Sequence, residues 1–283
     1  LLEGMLSFML FAGAIHIKYQ DLKKEKLSIL LFSTVSVLIS TFVIGFSSYY
    51  LLSIFGVHVQ FLHALLFGAL ISPTDPIAVL SILKSSGISK SLETQISGES
   101  LFNDGVAVVI FITILKLAVP NSTLDASNVI MLFSQEAIGG ILVGLVIGYC
   151  GYKLIASIDN YVVEVLITLA IVMGGYSLSQ YIHVSGPLAM VAAGIITGNV
   201  SKKLGMSDIT SEYIDKFWEL IDEILNSLLF VLIGLELLIL QVNKTILYVS
   251  LILIVTILIT RFISLWIPSL IIRFKRRIQL KTL

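Results

Sequence analysis

Two short stretches hold residue types that could bind ions where the surrounding sequence is otherwise oily. The first is GESLFNDG (Gly98–Gly105), with Glu99, Ser100, Asn103 and Asp104 leading into the apolar run VAVVIFI. The second is SPTDP (Ser72–Pro76), where Pro73 and Pro76 bracket Thr74 and Asp75. A carboxylate in a partly dehydrated setting holds either a proton or a small hard cation, and hydroxyl and carbonyl oxygens are the natural further ligands of such a cation. Proline removes a backbone donor and clashes with the turn before it, so two within four residues predict an unwound helix. Unwound backbone inside a bilayer is tolerated only within protein or beside a water-filled cavity, and broken helices of that kind are where secondary transporters hold ions. A proline kink without ion binding is the plainer alternative for SPTDP taken alone.

Composition shows what must position these residues. The chain has 283 residues, 57% hydrophobic and only 13% charged, with a mean hydropathy of +1.02. Soluble domains carry about 25% charged residues. The deficit, with long apolar runs throughout, predicts an all-α polytopic membrane protein. The formal net charge is zero, which points to no nucleic-acid partner, and the single Cys150 rules out an internal disulfide. No cofactor or metal-cluster motif is visible. The chain begins without an initiator Met or a basic leader and is expected to be a fragment of a longer protein.

About nine spans are expected: Leu1–Ile17, Leu27–Phe55, Phe61–Leu83, Leu92–Leu115, Val129–Tyr152, Tyr161–Tyr181, Gly186–Val200, Ile221–Leu240 and Ile246–Ile272. Fifteen basic residues fall in loops after odd-numbered spans, and only Lys116 and Lys244 after even-numbered ones. That alternation puts the odd loops in the cytoplasm. The stretch SEYIDKFWELIDEIL reads as an amphipathic helix at the membrane surface, with Tyr213, Phe217 and Leu220/Ile221 on one face. Glu219, Asp222 and Glu223 could instead line a cation funnel.

Depth then sorts the polar groups. Asp104 lies about 12 residues into its span, roughly 18 Å, which is near the middle of a roughly 30 Å hydrocarbon core. Ser100 and Asp104 are four residues apart and share a helical face; Glu99 and Asn103 share another, about 100° away. An unpaired carboxylate at this depth costs roughly 2.5–3.5 kcal/mol on insertion scales. Arg261, mid-way along the last span, is the one basic residue outside the loops. The expectation is that Arg261 pairs with Glu99 to fix the helices, and that Asn103 bridges to the backbone or side chain of Thr74. Asp104, with Ser100 and Thr74, is then left facing a cavity. One free carboxylate with alternating access makes protons and cations compete, one for one.

These residues resemble the monovalent cation:proton antiporter family, in particular the NhaP-type sodium/proton antiporters and the eukaryotic exchangers related to them. SPTDP looks like the family's unwound-helix motif and GESLFNDG like its asparagine–aspartate motif. HVSGPLAMVAAGIITGN (His183–Asn199), FWELIDEILNSLLFVLIGLE (Phe217–Glu236) and Arg261 match in order and spacing. The resemblance covers nearly the whole chain. It implies an antiporter fold with discontinuous helices and inverted repeats, assembled as a homodimer in a membrane, with a bacterial inner membrane as the expected location. It implies a core bundle of about 27–118 and 246–272 and a scaffold of about 129–240. It also implies Asp104 as the exchanging carboxylate for sodium or another monovalent cation, with Thr74, Ser100 and Asp75 at the binding site. Glu99, Asn103, Arg261, Pro73 and Pro76 would be structural around it. Asn103 in place of a second aspartate resembles the electroneutral branch. Family members have further spans before and after the ones seen here, and relatives carry an acidic ligand in the opening span, where Glu3 is the one acid.

Two other classes remain open. A cation channel could use the same broken helix without proton coupling, although it would more often show a repeated carbonyl filter. An intramembrane hydrolase would need a catalytic motif, and Asp75 beside Asp104 is the one pair that could form an aspartyl dyad. His16, His58, His63, Glu136, Glu164 and Glu236 lie toward span ends, where interfacial solvation accounts for them. The glycines from Gly139 to Gly151 have the spacing of close helix packing.

Overall fold

The structure is a computed structural model that describes residues 2–75, 87–118, 126–240 and 244–281. Among these residues every regular element is helical. They fall into two compact units, one drawn from residues 1–22 and 131–240 and the other from 23–130 and 241–283.

The first unit is built around a short helix that is apolar on all sides. This is α8 (Gly186–Ile196), buried at every residue from Gly186 to Gly194. A helix without a polar face belongs in a core. Ser185 caps its start by accepting from the Leu188 amide, and Pro187 occupies the first turn, where a missing amide costs nothing. It continues through a π-helical turn, Thr197–Ser201, into α9 (Lys202–Leu204). Around it stand α1 (Leu2–Ile15), α6 (Ala126–Ile155), α7 (Tyr161–Tyr181) and α10 (Asp208–Ile239). The glycine stripe of α6 lets backbones touch: a Cβ at Gly144 would lie 2.1 Å from the Ala189 carbonyl oxygen. Phe11, Val172, Met190, Ile214 and Trp218 form the core, with the Phe11 and Trp218 rings 4.7 Å apart.

Polar groups in this unit are tied to helix ends and to one another. Trp218 Nε1 donates to Thr168 Oγ1 at 3.0 Å, and Thr210 Oγ1 donates to Glu164 Oε1 at 3.3 Å. At the end of α1, His16 Nδ1 reaches Asp215 at 3.2 Å, and Lys202 Nζ binds the same oxygen.

In the second unit α2 (Tyr19–Leu31) runs through a π-helical turn, Phe32–Ser36, into α3 (Val37–Ile54). Then come α4 (Phe61–Ile71), α5 (Lys90–Ala118) and α11 (Lys244–Lys281). α3 and α4 cross closely because Gly45 and Gly68 meet there: a Cβ at Gly68 would lie 2.3 Å from the Thr41 carbonyl oxygen. Close approach at small residues is how helices associate where no water drives them together.

Among the described residues, five helical stretches are long and apolar enough to cross a membrane: Tyr19–Ile54, Lys90–Ala118, Val129–Ile155, Tyr161–Tyr181 and Ile246–Ile272. Gly4–Ile15 and Phe61–Ile71 are shorter apolar helices. Two expectations change. Lys23, Lys24 and Lys26 lie within α2 rather than a loop, as suits a residue with good helix propensity. The helix of the third span ends at Ile71, ahead of SPTDP, as its prolines predict; residues 76–86, Pro76 among them, lie outside the described residues. The amphipathic stretch after Ser207 is no separate surface helix. It is continuous with the following span in α10, and it buries Thr210, Ile214 and Trp218, while Tyr213 and Leu220 are exposed. The buried stripe is spaced by four residues, and packing against Phe11 and Val172 outweighs the apolar pair on the other face.

Candidate functional site

The candidate site lies within the second unit, where the chain leaves α4. The last carbonyls of a helix lack intrahelical partners, and Ser72–Asp75 carry on in non-helical backbone. Side chains from two other helices hold this segment. From α5, Ser100 Oγ donates to the Thr74 carbonyl at 2.5 Å, and Asn103 Nδ2 donates to Thr74 Oγ1 at 3.1 Å. From α11, Arg261 Nη1 donates to the Ser72 carbonyl. Ser100 and Asn103 are buried, at 4% and 1% exposure. These are high-stakes contacts, because an unpaired polar group there would keep its full desolvation cost.

The side chains named from sequence are thereby placed. Thr74 is gripped at both its carbonyl and its hydroxyl. Asp104 lies one turn beyond Ser100 and is half-buried. Its carboxyl has no hydrogen-bond donor among the described residues; its charge is felt through Asp75 and Arg261, both within electrostatic reach. Asp75 is exposed. Pro73 sits in the bend between Ser72 and Thr74. Asn103 Oδ1 and Arg261 Nε are buried without partners among the described residues. Nothing is described of the Glu3 side chain.

Arg261 differs from its expected arrangement. It forms no direct ion pair with Glu99 among the described residues. Its hydrogen bond goes to the Ser72 carbonyl, and its charge reaches Glu99 and Asp104 through space. A guanidinium has five donors in a planar fork, and the carbonyl left without a helical donor at the end of a broken helix is a strong acceptor for one of them. Ser72 was therefore missed as a site residue. The available signal was its position four residues before Pro76, which has no N–H to offer the Ser72 carbonyl.

Chemically, the arrangement puts one carboxyl, free of donors among these residues, on the same helix as the two side chains that hold the broken helix end. Residues 1–282 match the family described as "Sodium/hydrogen exchanger, transmembrane". The chain belongs to this family. It is an integral membrane protein with the antiporter fold, matching the solved structure of the sodium proton antiporter MjNhaP1 from Methanocaldococcus jannaschii. That match has a TM-score of 0.65 at 24% identity and covers 78% of this chain and 53% of the other. The chain is 55% identical over 240 residues to the Na(+)/H(+) antiporter NhaP of Pseudomonas aeruginosa, covering 85% of this chain and 57% of that protein. It is 34% identical over 271 residues to the low-affinity Na(+)/H(+) antiporter NhaS1 of Synechocystis, covering 96% of this chain and 50% of that protein. The chain thus spans about half the length of these relatives.

Proposed function

We propose that the protein containing this chain exchanges a monovalent cation, sodium or lithium or potassium, for a proton, and that both compete for the Asp104 carboxyl. The observation that supports this reading is that Asp104 lies within a membrane-length helix, one turn from Ser100, whose hydroxyl binds the unwound Thr74. The names of the relatives favour sodium and protons as substrates.

In this mechanism a proton on Asp104 and a cation on Asp104 are alternative states of one group, and access to it alternates between the two sides of the membrane. The cation would be held by the carboxylate with oxygens of Thr74 and Ser100, since small hard cations take oxygen ligands. Arg261 and Glu99 supply opposite charges that balance in the bilayer, so the site changes its charge only through Asp104. With Asn103 uncharged, the exchange is one for one and electroneutral. The assembly expected for it is a homodimer in a bacterial inner membrane, with the lysine-rich loops inside.

The test is collapse of a preset proton gradient in everted vesicles that contain the full-length protein. Sodium, lithium or potassium is expected to collapse the gradient with the wild type and not with Asp104→Asn. A variant as active as the wild type would show that Asp104 is not the exchanging group. Cation flux that leaves the proton gradient unchanged would favour a channel.

A further inference from the structure

Around Arg261 lies a set of hydroxyls that the exchange mechanism does not use. Ser264 is one turn along α11 from Arg261 and fully buried, at 0% exposure. Its Oγ donates to the Arg261 carbonyl at 2.9 Å. It accepts from Ser36 Oγ at 3.2 Å and from Ser40 Oγ at 2.9 Å, both on the α2–α3 side of the unit. A serine hydroxyl has one proton to give and two lone pairs, so Ser264 is saturated. One residue beyond Ser40, Thr41 Oγ1 donates to Ser72 Oγ at 3.3 Å. Ser72 Oγ passes its own proton to the Ala69 carbonyl at 3.1 Å, and the Ser72 carbonyl receives Arg261.

The links close on themselves. Starting at Arg261 they lead to the end of α4 at Ser72, to Thr41 on α3, along one residue to Ser40, across to Ser264 and back to Arg261. Ser36, Ser40, Thr41, Ser72 and Ser264 are all buried to 1% exposure or less. Buried polar networks with every member satisfied fix a single geometry, and this one leaves only the Arg261 Nε without a partner among the described residues.

We infer that Ser264 is a positioning residue for Arg261: by locking α11 against Ser36 and Ser40, it keeps the guanidinium on the Ser72 carbonyl and off the Asp104 carboxylate. The inference rests on the reading of Asp104 as the exchanging group. The physical reason is competition. A positive charge that can swing onto Asp104 occupies the seat of the incoming cation. Held on the Ser72 carbonyl, it contributes its field without taking the site. The three serines and Thr41 thus act on cation affinity without touching the cation.

The test uses the full-length protein in proteoliposomes, with sodium-driven proton flux measured over a range of sodium concentrations for the wild type, Ser264→Ala, Ser264→Thr and the double variant Ser36→Ala/Ser40→Ala. Ser264→Ala is expected to raise the KM for sodium by about fivefold or more while the maximal rate stays within about twofold. Threonine, which restores the hydroxyl, is expected to bring KM back to within about twofold of the wild type. The double variant, which removes both donors to Ser264, is expected to reproduce the alanine effect even if Ser264→Ala is not recovered as folded protein. A role in packing alone predicts something different: lower thermal stability at wild-type KM, and a threonine variant no better than alanine. Either result, or a wild-type KM in the double variant, overturns the inference. Its failure stays distinct from failure of the exchange mechanism, because that failure appears as an active Asp104→Asn.

Discussion

Asn103 is where the site depends on a single side chain. Its amide is buried and spans from α5 to the hydroxyl of Thr74, tying the unwound segment to the helix that carries Asp104. Asn103→Ala removes this donor and leaves unfilled space in a buried position. Together these are expected to cost about 1–2 kcal/mol of stability, read as a fall in the thermal unfolding temperature of the detergent-purified protein. A variant that unfolds at the wild-type temperature would mean that the Thr74 contact carries no load. At this scale, the polar residues of both motifs were legible because charged and amide side chains are conspicuous in an apolar run. Hydrogen-bond partners were less so. Pairing Arg261 with Glu99 followed from charge and depth alone; the Ser72 carbonyl, which takes the bond, is backbone and has no letter in the sequence. The serines behind Arg261 were overlooked for a related reason. Ser36 and Ser40, four residues apart, lie along one helical face, but hydroxyls are common in membrane helices and stand out only when a partner such as Ser264 is seen opposite.

At the scale of elements, periodicity identified most helices and misjudged two boundaries. The break after α4 was announced by its prolines. The length of α10 was not, because acids and lysines between Asp208 and Glu223 resemble a surface segment. What the sequence hid was the stripe Thr210, Ile214, Trp218, which meets a core supplied by α1, α7 and α8. Asp215, next to that stripe, shows how the element is fastened. Burial alone would raise its carboxyl. The hydrogen bonds from His16 and Lys202, with their charges, outweigh that and hold it below the usual carboxylate range. A carboxyl with a lower pKa when folded adds stability that is present above its unfolded value, about 4, and is lost as pH falls through the folded value. Asp215→Asn is therefore expected to unfold at a lower temperature than the wild type at about pH 7, with the gap narrowing once pH drops below about 4. A gap of constant size across that range would mean that the carboxylate charge contributes nothing to holding α10 against α1.

For the whole molecule, composition and the long apolar runs were sufficient to identify a membrane-spanning helical protein, and the order of motifs placed it in the right family. The reason is physical. A bilayer permits few architectures and tolerates buried charge only where it works or is compensated, so rare polar residues reveal much. What a sequence of this kind carries less openly is which backbone atoms are left unpaired and which hydroxyls satisfy them. The account of function comes down to one carboxyl with two alternative occupants. The most direct measurement is the apparent KM for sodium of the full-length protein in proteoliposomes as pH is lowered. Competition for Asp104 predicts that KM rises, approaching about tenfold per pH unit in the range where the carboxyl is mostly protonated, while the maximal rate at saturating sodium is unchanged. A KM that stays level while the maximal rate falls with pH would contradict it, because proton and cation would then occupy different groups.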